Sequence, residues 1–204
     1  MATIIVTIAS VASALELAPT TKTLPNDKVV TGIEWAPSHL PQAFKAVEKM
    51  RGNLGREDCV VFDGGCPGWL LVCVAHAVHP ANASVKYPQG GPDCSLPITG
   101  TEMAGSGSTE GIEFSVEEKD DHTMVTFNLA NPSIDLPKAL ASLVAPAVPA
   151  GKPVRISGRG PIAILAALSS AYAHYVAEVQ AFQPGTGNVV AISHGGRPLG
   201  TVVP

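Results

Sequence analysis

The chain has 204 residues, 15 % charged and 46 % hydrophobic, with 13 basic against 17 acidic side chains and a net charge of -4. Few charges and ample apolar material exclude a disordered chain, and without a basic excess the chain is not read as a partner of duplex DNA. Its 20 glycines and 18 prolines, well above the ~12 % usual for the two together, exclude a long coiled coil and demand short elements joined by many turns.

In chain order, Thr3–Ala9 reads as a buried strand. The first basic residue is Lys22, after the apolar start, so the opening is not read as a secretory leader. An insertion is expected around Ala12–Pro25. A predicted helix carries Cys66 and Cys73 on one face, and His76 and His79 as an i, i+3 pair. No two of Cys59, Cys66, Cys73 and Cys94 are spaced as C-x-x-C, which favours reduced core thiols in a cytoplasmic protein over a structural zinc site. Thr99–Gly111 is rich in Gly, Ser and Thr and reads as a linker.

Beyond it, Ile112–Glu118 alternates apolar and polar residues, and Thr123–Leu129 returns as its hairpin partner. Leu136–Val144 reads as a short helix with Pro137 in its first turn. Val154–Ser157 is a strand, Ile162–Tyr175 a helix and Glu178–Phe182 a strand. Gly185–Gly187 is a turn, Val189–Ser193 a strand and Thr201–Val203 a short edge. The apolar span Ile162–Phe182 contains Ser169, Ser170, His174, Glu178 and Gln180, so it reads as an amphipathic helix running into a strand, with no membrane partner.

The order of features repeats. Cys59–Pro80 and Pro153–His174 each run from a β-branched stretch through a Gly-rich turn and a proline into an apolar helix. Asp63, Gly64 and Pro67 fall on Ser157, Gly158 and Pro161, and Tyr87-Pro88 falls on Gln183-Pro184. Upstream, Val30-Thr31 resembles Val125-Thr126, and Leu40-Pro41-Gln42-Ala43 resembles Leu136-Pro137-Lys138-Ala139. Two copies are too few for a solenoid and suggest a fused pseudo-dimer. The expected fold is mixed α/β: an N-terminal repeat over 1–103, a linker over 104–108 and a C-terminal repeat over 109–204, each a small mixed sheet covered by helices.

The run Ser157-Gly158-Arg159-Gly160-Pro161 joins a strand to a helix start. Free N–H groups there favour an anion, glycines admit a ligand to the backbone, and Arg159 adds a bidentate phosphate contact. The plainer alternative is a packing turn with a surface arginine. The first copy carries Asp63-Gly64-Gly65-Cys66-Pro67 instead, an acid where the second has none, so the halves are not chemically equivalent. His79 and His174 close the two helix regions and are candidates for general acid–base work or metal ligation, against the commoner role of surface histidines. His194, after the Val189–Ser193 strand, could line the same rim, whereas His39 and His122 read as ordinary loop residues.

Val154–Ser193 resembles the core of a small CRISPR-associated ring nuclease family of type III systems. The resemblance rests on Ile156-Ser157-Gly158-Arg159-Gly160-Pro161-Ile162, the aromatic-x-Pro turn Phe182-Gln183-Pro184 and the run Val189–His194. The first copy adds Trp69 and Ala75-His76-Ala77-Val78-His79. The resemblance implies a compact α/β fold, dimers and higher assemblies (here a homo-oligomer of the fused pseudo-dimer), and manganese-dependent cleavage of cyclic tetra-adenylate that ends an antiviral signal. The family's helix histidine maps onto His79, and onto Ala173 or His174 in the second copy. Where the family carries an Asp before the turn proline, this chain has Gln183 and Tyr87, and a hard divalent cation wants carboxylate oxygen.

Three readings follow. In the first, an enzyme opens a cyclic oligoadenylate by 2′-hydroxyl attack, with His79 or His174 as base or acid. Arg159 and backbone N–H groups would then stabilise the phosphorane. In the second, Ser157, Gly158, Arg159, Gly160, Asp63, Gly64, Gly65 and His194 bind the ligand without cleaving it. In the third, the glycine turns only pack.

Overall fold

A computed structural model describes the chain except residues 92, 183–188, 193, 194 and 204. The first half opens with β1 (Thr3–Thr7) and α1 (Ile8–Ala14), then β2 (Pro19–Thr23) and β3 (Val29–Ile33). A 3-10 turn leads to α2 (Leu40–Arg51), followed by β4 (Cys59–Asp63), α3 (Gly68–His76), β5 (Asn82–Lys86), β6 (Ser95–Pro97) and β7 (Glu102–Met103). The second half holds β8 (Ile112–Glu118), β9 (Thr123–Leu129), α4 (Leu136–Ala141), β10 (Val144–Ala145) and β11 (Val154–Arg159). It continues with α5 (Ile162–Tyr172), β12 (Val179–Phe182), β13 (Val189–Ala191) and β14 (Val202–Val203).

Local chemistry sets several boundaries. The opening strand stops at Thr7, earlier than expected, because the Thr7 hydroxyl accepts from the Ser10 N–H at 3.0 Å and starts a helix there. Nor is β1 a buried strand throughout: Val6 is buried while Thr3, Ile5 and Thr7 are exposed. In α2 the stripe Leu40, Ala43, Val47 faces the core, and Gly52, at φ 59°, ends the helix in a conformation that suits glycine. The Asp135 carboxylate accepts from the Lys138 N–H at 3.2 Å and caps α4.

The two main sheets share a pairing scheme. One has the order β1-β4-β5-β6; the other contains β9-β11-β12-β13 between the outer strands β8 and β14. In each quartet the first two pairings are parallel and the third antiparallel. The registers also correspond. Val6 pairs with Phe62 and Phe62 with Val85, as Val125 pairs with Ile156 and Ile156 with Ala181.

This corrects the expected upstream equivalence. Val30-Thr31 lies in β3, which pairs only with β2 in a separate exposed hairpin, while β1 occupies the place of β9. The insertion in the first half therefore comprises α1 and the β2–β3 hairpin, a longer stretch than Ala12–Pro25. The Gly/Ser-rich join is not featureless either: β7 pairs with β10, and Ser108 bridges Val144.

Between the sheets lie α3 and α5. Every residue from Trp69 to Ala75 is buried, and α5 buries Ala163, Ile164, Ala166, Ala167, Leu168, Ser169 and Tyr172. Neither is amphipathic, because each packs on the other as well as on strands. One apolar core runs through both halves. The Tyr172 hydroxyl donates to the Pro146 carbonyl at 2.9 Å, and burial raises its pKa above the usual tyrosine value. Among the described residues no helix is long and apolar enough to cross a membrane.

Candidate functional site

The helices α3 and α5 run side by side in the same direction. Gly68 at the start of α3 approaches Leu165 and Ile162 near the start of α5, and the turns after both helices meet at the opposite end. Each end opens into a cavity.

At the helix starts, β4 leads into Gly64-Gly65, whereas β11 runs on through Ser157, Gly158 and Arg159, all paired with β9, so the expected turn over Ser157–Pro161 is strand up to Arg159 and the chain bends only at Gly160. Gly158 lies against Phe127 of β9, and a Cβ there would sit 2.4 Å from the Phe127 ring and carbonyl oxygen. Gly64 takes the corresponding place beside Ile8, but it has a second reason to be glycine, its φ of 109°. Beside the second turn is a cavity of about 280 Å³ lined by Cys66 and Gly68 from the first half and by Phe127, Ser157, Gly158 and Phe182 from the second. Gly160 also lines it; Asp63, Gly64, Gly65 and Arg159 do not.

Arg159 is exposed and has no ion-pair partner among the described residues. At the corresponding edge of the first half, the Lys86 ammonium lies 3.8 Å from the Asp63 carboxylate, with both side chains partly exposed. Cys66 precedes α3, so it does not share a helical face with Cys73 as expected. Burial pushes both thiols up to about 12. They are neutral near pH ~7 and poor nucleophiles.

At the helix ends, the rings of His79 and His174 lie 5.2 Å apart between centroids. Both residues sit in turns past the last helical residue, whereas both were expected on helices. They line a cavity of about 630 Å³ together with His76, Glu48, Asn82 and Ser170, and the Arg51 guanidinium donates to the His79 carbonyl. His39 accepts from the Ala36 N–H at 3.1 Å. His122 pairs with Asp121, and that hydrogen bond holds the carboxyl below its usual range. His194 and Gln183 lie outside the described residues.

The structure thus brings His79 to His174 but not to Arg159. The 11 residues of α5 span about 16 Å at ~1.5 Å per residue. The Ser157–Gly160 segment and the two imidazoles thus lie at opposite ends of α5, about one helix length apart. Among the described residues no group of three or more His, Cys, Asp or Glu side chains is placed to hold a metal ion.

Sequence reasoning missed Phe127, Phe182 and Lys86. The repeat held the signal for the last two, because the offset that sets Tyr87 on Gln183 also sets Lys86 on Phe182.

Residues 129–204 match the family described as CRISPR-associated protein (Cas_csx3). The match contains the Ser157–Pro161 turn but not its first-half counterpart. No curated protein matches the chain. Similar solved structures include the Acinetobacter baumannii Cap4 SAVED/CARF-domain containing receptor. With the cyclic trinucleotide 2'3'3'-cAAA it gives 9 % identity and a TM-score of 0.47, covering 78 % of this chain and 44 % of that one. Without a named ligand the values are 9 %, 0.48, 78 % and 42 %, and with 3'3'3'-cAAA they are 10 %, 0.43, 78 % and 44 %. The chain spans less than half the length of these receptors.

Proposed function

We propose that this chain is a CRISPR-associated binding protein for a cyclic oligoadenylate, acting in the cytoplasm and holding the ligand at the glycine-turn end of the α3–α5 pair. One observation carries the reading: the Ser157–Gly160 segment at the end of β11, in the stretch similar to the CRISPR-associated family, flanks a cavity built from both halves, with an exposed arginine beside it. Arg159 takes a phosphate, and the glycines let the ligand lie against the backbone. The matching strand registers support a fused pseudo-dimer, in which 1–103 and 109–204 each supply one wall and 104–108 joins them.

The test is titration with cyclic tetra-adenylate. Wild type binds it, and Arg159→Ala weakens binding by about ten- to a hundredfold, the loss expected for a charge-assisted contact. Equal affinity of the two proteins refutes the phosphate role of Arg159.

A second reading, cleavage, is favoured by the His79–His174 pair. One imidazole would take the 2′-hydroxyl proton as that oxygen attacks the adjacent phosphorus. The bond to the 5′-oxygen breaks, and the other imidazole, protonated, gives that oxygen its proton. The pair lies about a helix length from the Ser157–Gly160 segment of its own chain, so in this reading a ligand held there meets the histidines of a second molecule. Turnover per chain would rise with protein concentration, and His79→Ala would abolish it without changing affinity for the ligand.

A further inference from the structure

The cavity beside the second glycine turn differs from a phosphate site. Every side chain lining it is uncharged. It is lined by Phe127, Ile156, Ile162 and Leu165, by Ser157 and Cys66 as its polar residues, and by Phe182, 39 % exposed. An anion buried there would lack a partner. A flat, uncharged ring with polar edges would not: an exposed phenyl face is a stacking platform for any base, and the hydroxyl supplies an edge contact. A volume of about 280 Å³ lies just below the roughly 300–1,000 Å³ of whole-ligand pockets, which suits one base better than a whole ring.

The first half lacks the same device. By strand register, Asp63 stands where Ser157 does and Lys86 where Phe182 does. The pair set 3.8 Å apart puts two charges at that strand edge, and Ile8 takes the place of Phe127.

We propose that the Phe127–Phe182 cavity is a nucleobase slot present in the second half only, so that the chain grips its ligand through one stacked base rather than two symmetric ones. This rests on the cyclic-oligoadenylate reading above. Arg159, outside the cavity, takes the phosphate, while the slot takes the base.

The experiment compares wild type, Phe182→Ala, Phe182→Trp, Lys86→Ala and Arg159→Ala. Titration with cyclic tetra-adenylate is run beside saturation-transfer NMR with adenosine monophosphate. Phe182→Ala is expected to weaken binding by about 5- to 150-fold, the span for losing one base–aromatic stack. Phe182→Trp should retain binding, and Lys86→Ala should stay near wild type. If Arg159→Ala weakens binding and Phe182→Ala does not, the slot is refuted and the cleft reading stands. Equal losses in Phe182→Ala and Lys86→Ala refute the asymmetry. If cyclic tetra-adenylate does not bind while adenosine monophosphate does in a Phe182-dependent way, the slot stands and the cyclic-ligand reading falls. Binding of neither probe overturns both.

Discussion

At the carboxyl end of β4 the first half sets Asp63 against Lys86. At the same register near the carboxyl end of β11 the second half has Ser157, with Phe182 on β12 and Arg159 exposed two residues on from Ser157. The backbone unit is the same in both places: parallel strand, glycine turn, buried helix, parallel strand. A pair of identical subunits must present the same residues twice across its axis. A single chain with two non-identical halves has no such constraint, and here one half offers aromatic and cationic groups where the other offers an ion pair.

The largest expected contrast concerns the glycines themselves. Gly158→Ala places a Cβ 2.4 Å from the Phe127 ring and carbonyl and should cost about 3 kcal/mol in urea unfolding, at the upper end of overpacking. Gly64→Ala meets no atom closer than 3.4 Å, but its φ of 109° should cost roughly 1–2 kcal/mol. Gly65→Ala, with nothing within 4 Å and no positive φ, should be near neutral. Equal costs at 158 and 65 would break the account of why the second turn is tight.

Much of this unit was legible in the sequence because its signals are local. β-branched residues before Gly-rich turns, and Leu-Pro at the starts of α2 and α4, are read within a few positions. The CRISPR-associated resemblance came from Ile156–Ile162, which lies inside the matched stretch. What was not legible depends on pairing. That β1 replaces β3 beside β4 follows from Val6 meeting Phe62, a contact across more than fifty positions. That His79 joins His174 at the end of α5 away from Arg159 follows from α3 and α5 running the same way, which no spacing encodes.

Tyr172→Phe should give the next effect, about 1–2 kcal/mol, because it leaves the Pro146 carbonyl without its buried donor. Equilibrium unfolding measures it, and no loss would mean that the second half does not depend on that contact. The smallest effect concerns Cys66. Its raised pKa means that the folded state holds the proton more tightly than the unfolded one. Its stabilising contribution is complete below the ordinary value of 9.0 and is lost as pH climbs toward about 12. Alkylation of Cys66 near pH ~8 should therefore be slower than that of an unfolded thiol. Comparable rates would place it outside the wall of the cavity.

The most direct measurement mixes the protein with cyclic tetra-adenylate, with manganese and separately with EDTA. Size-exclusion isolates the protein, and chromatography then identifies what it carries. The account predicts intact cyclic ligand co-migrating with the protein in both conditions. Absence of ligand from the protein fraction, or linear products formed at a rate per chain that does not fall on dilution, would contradict it.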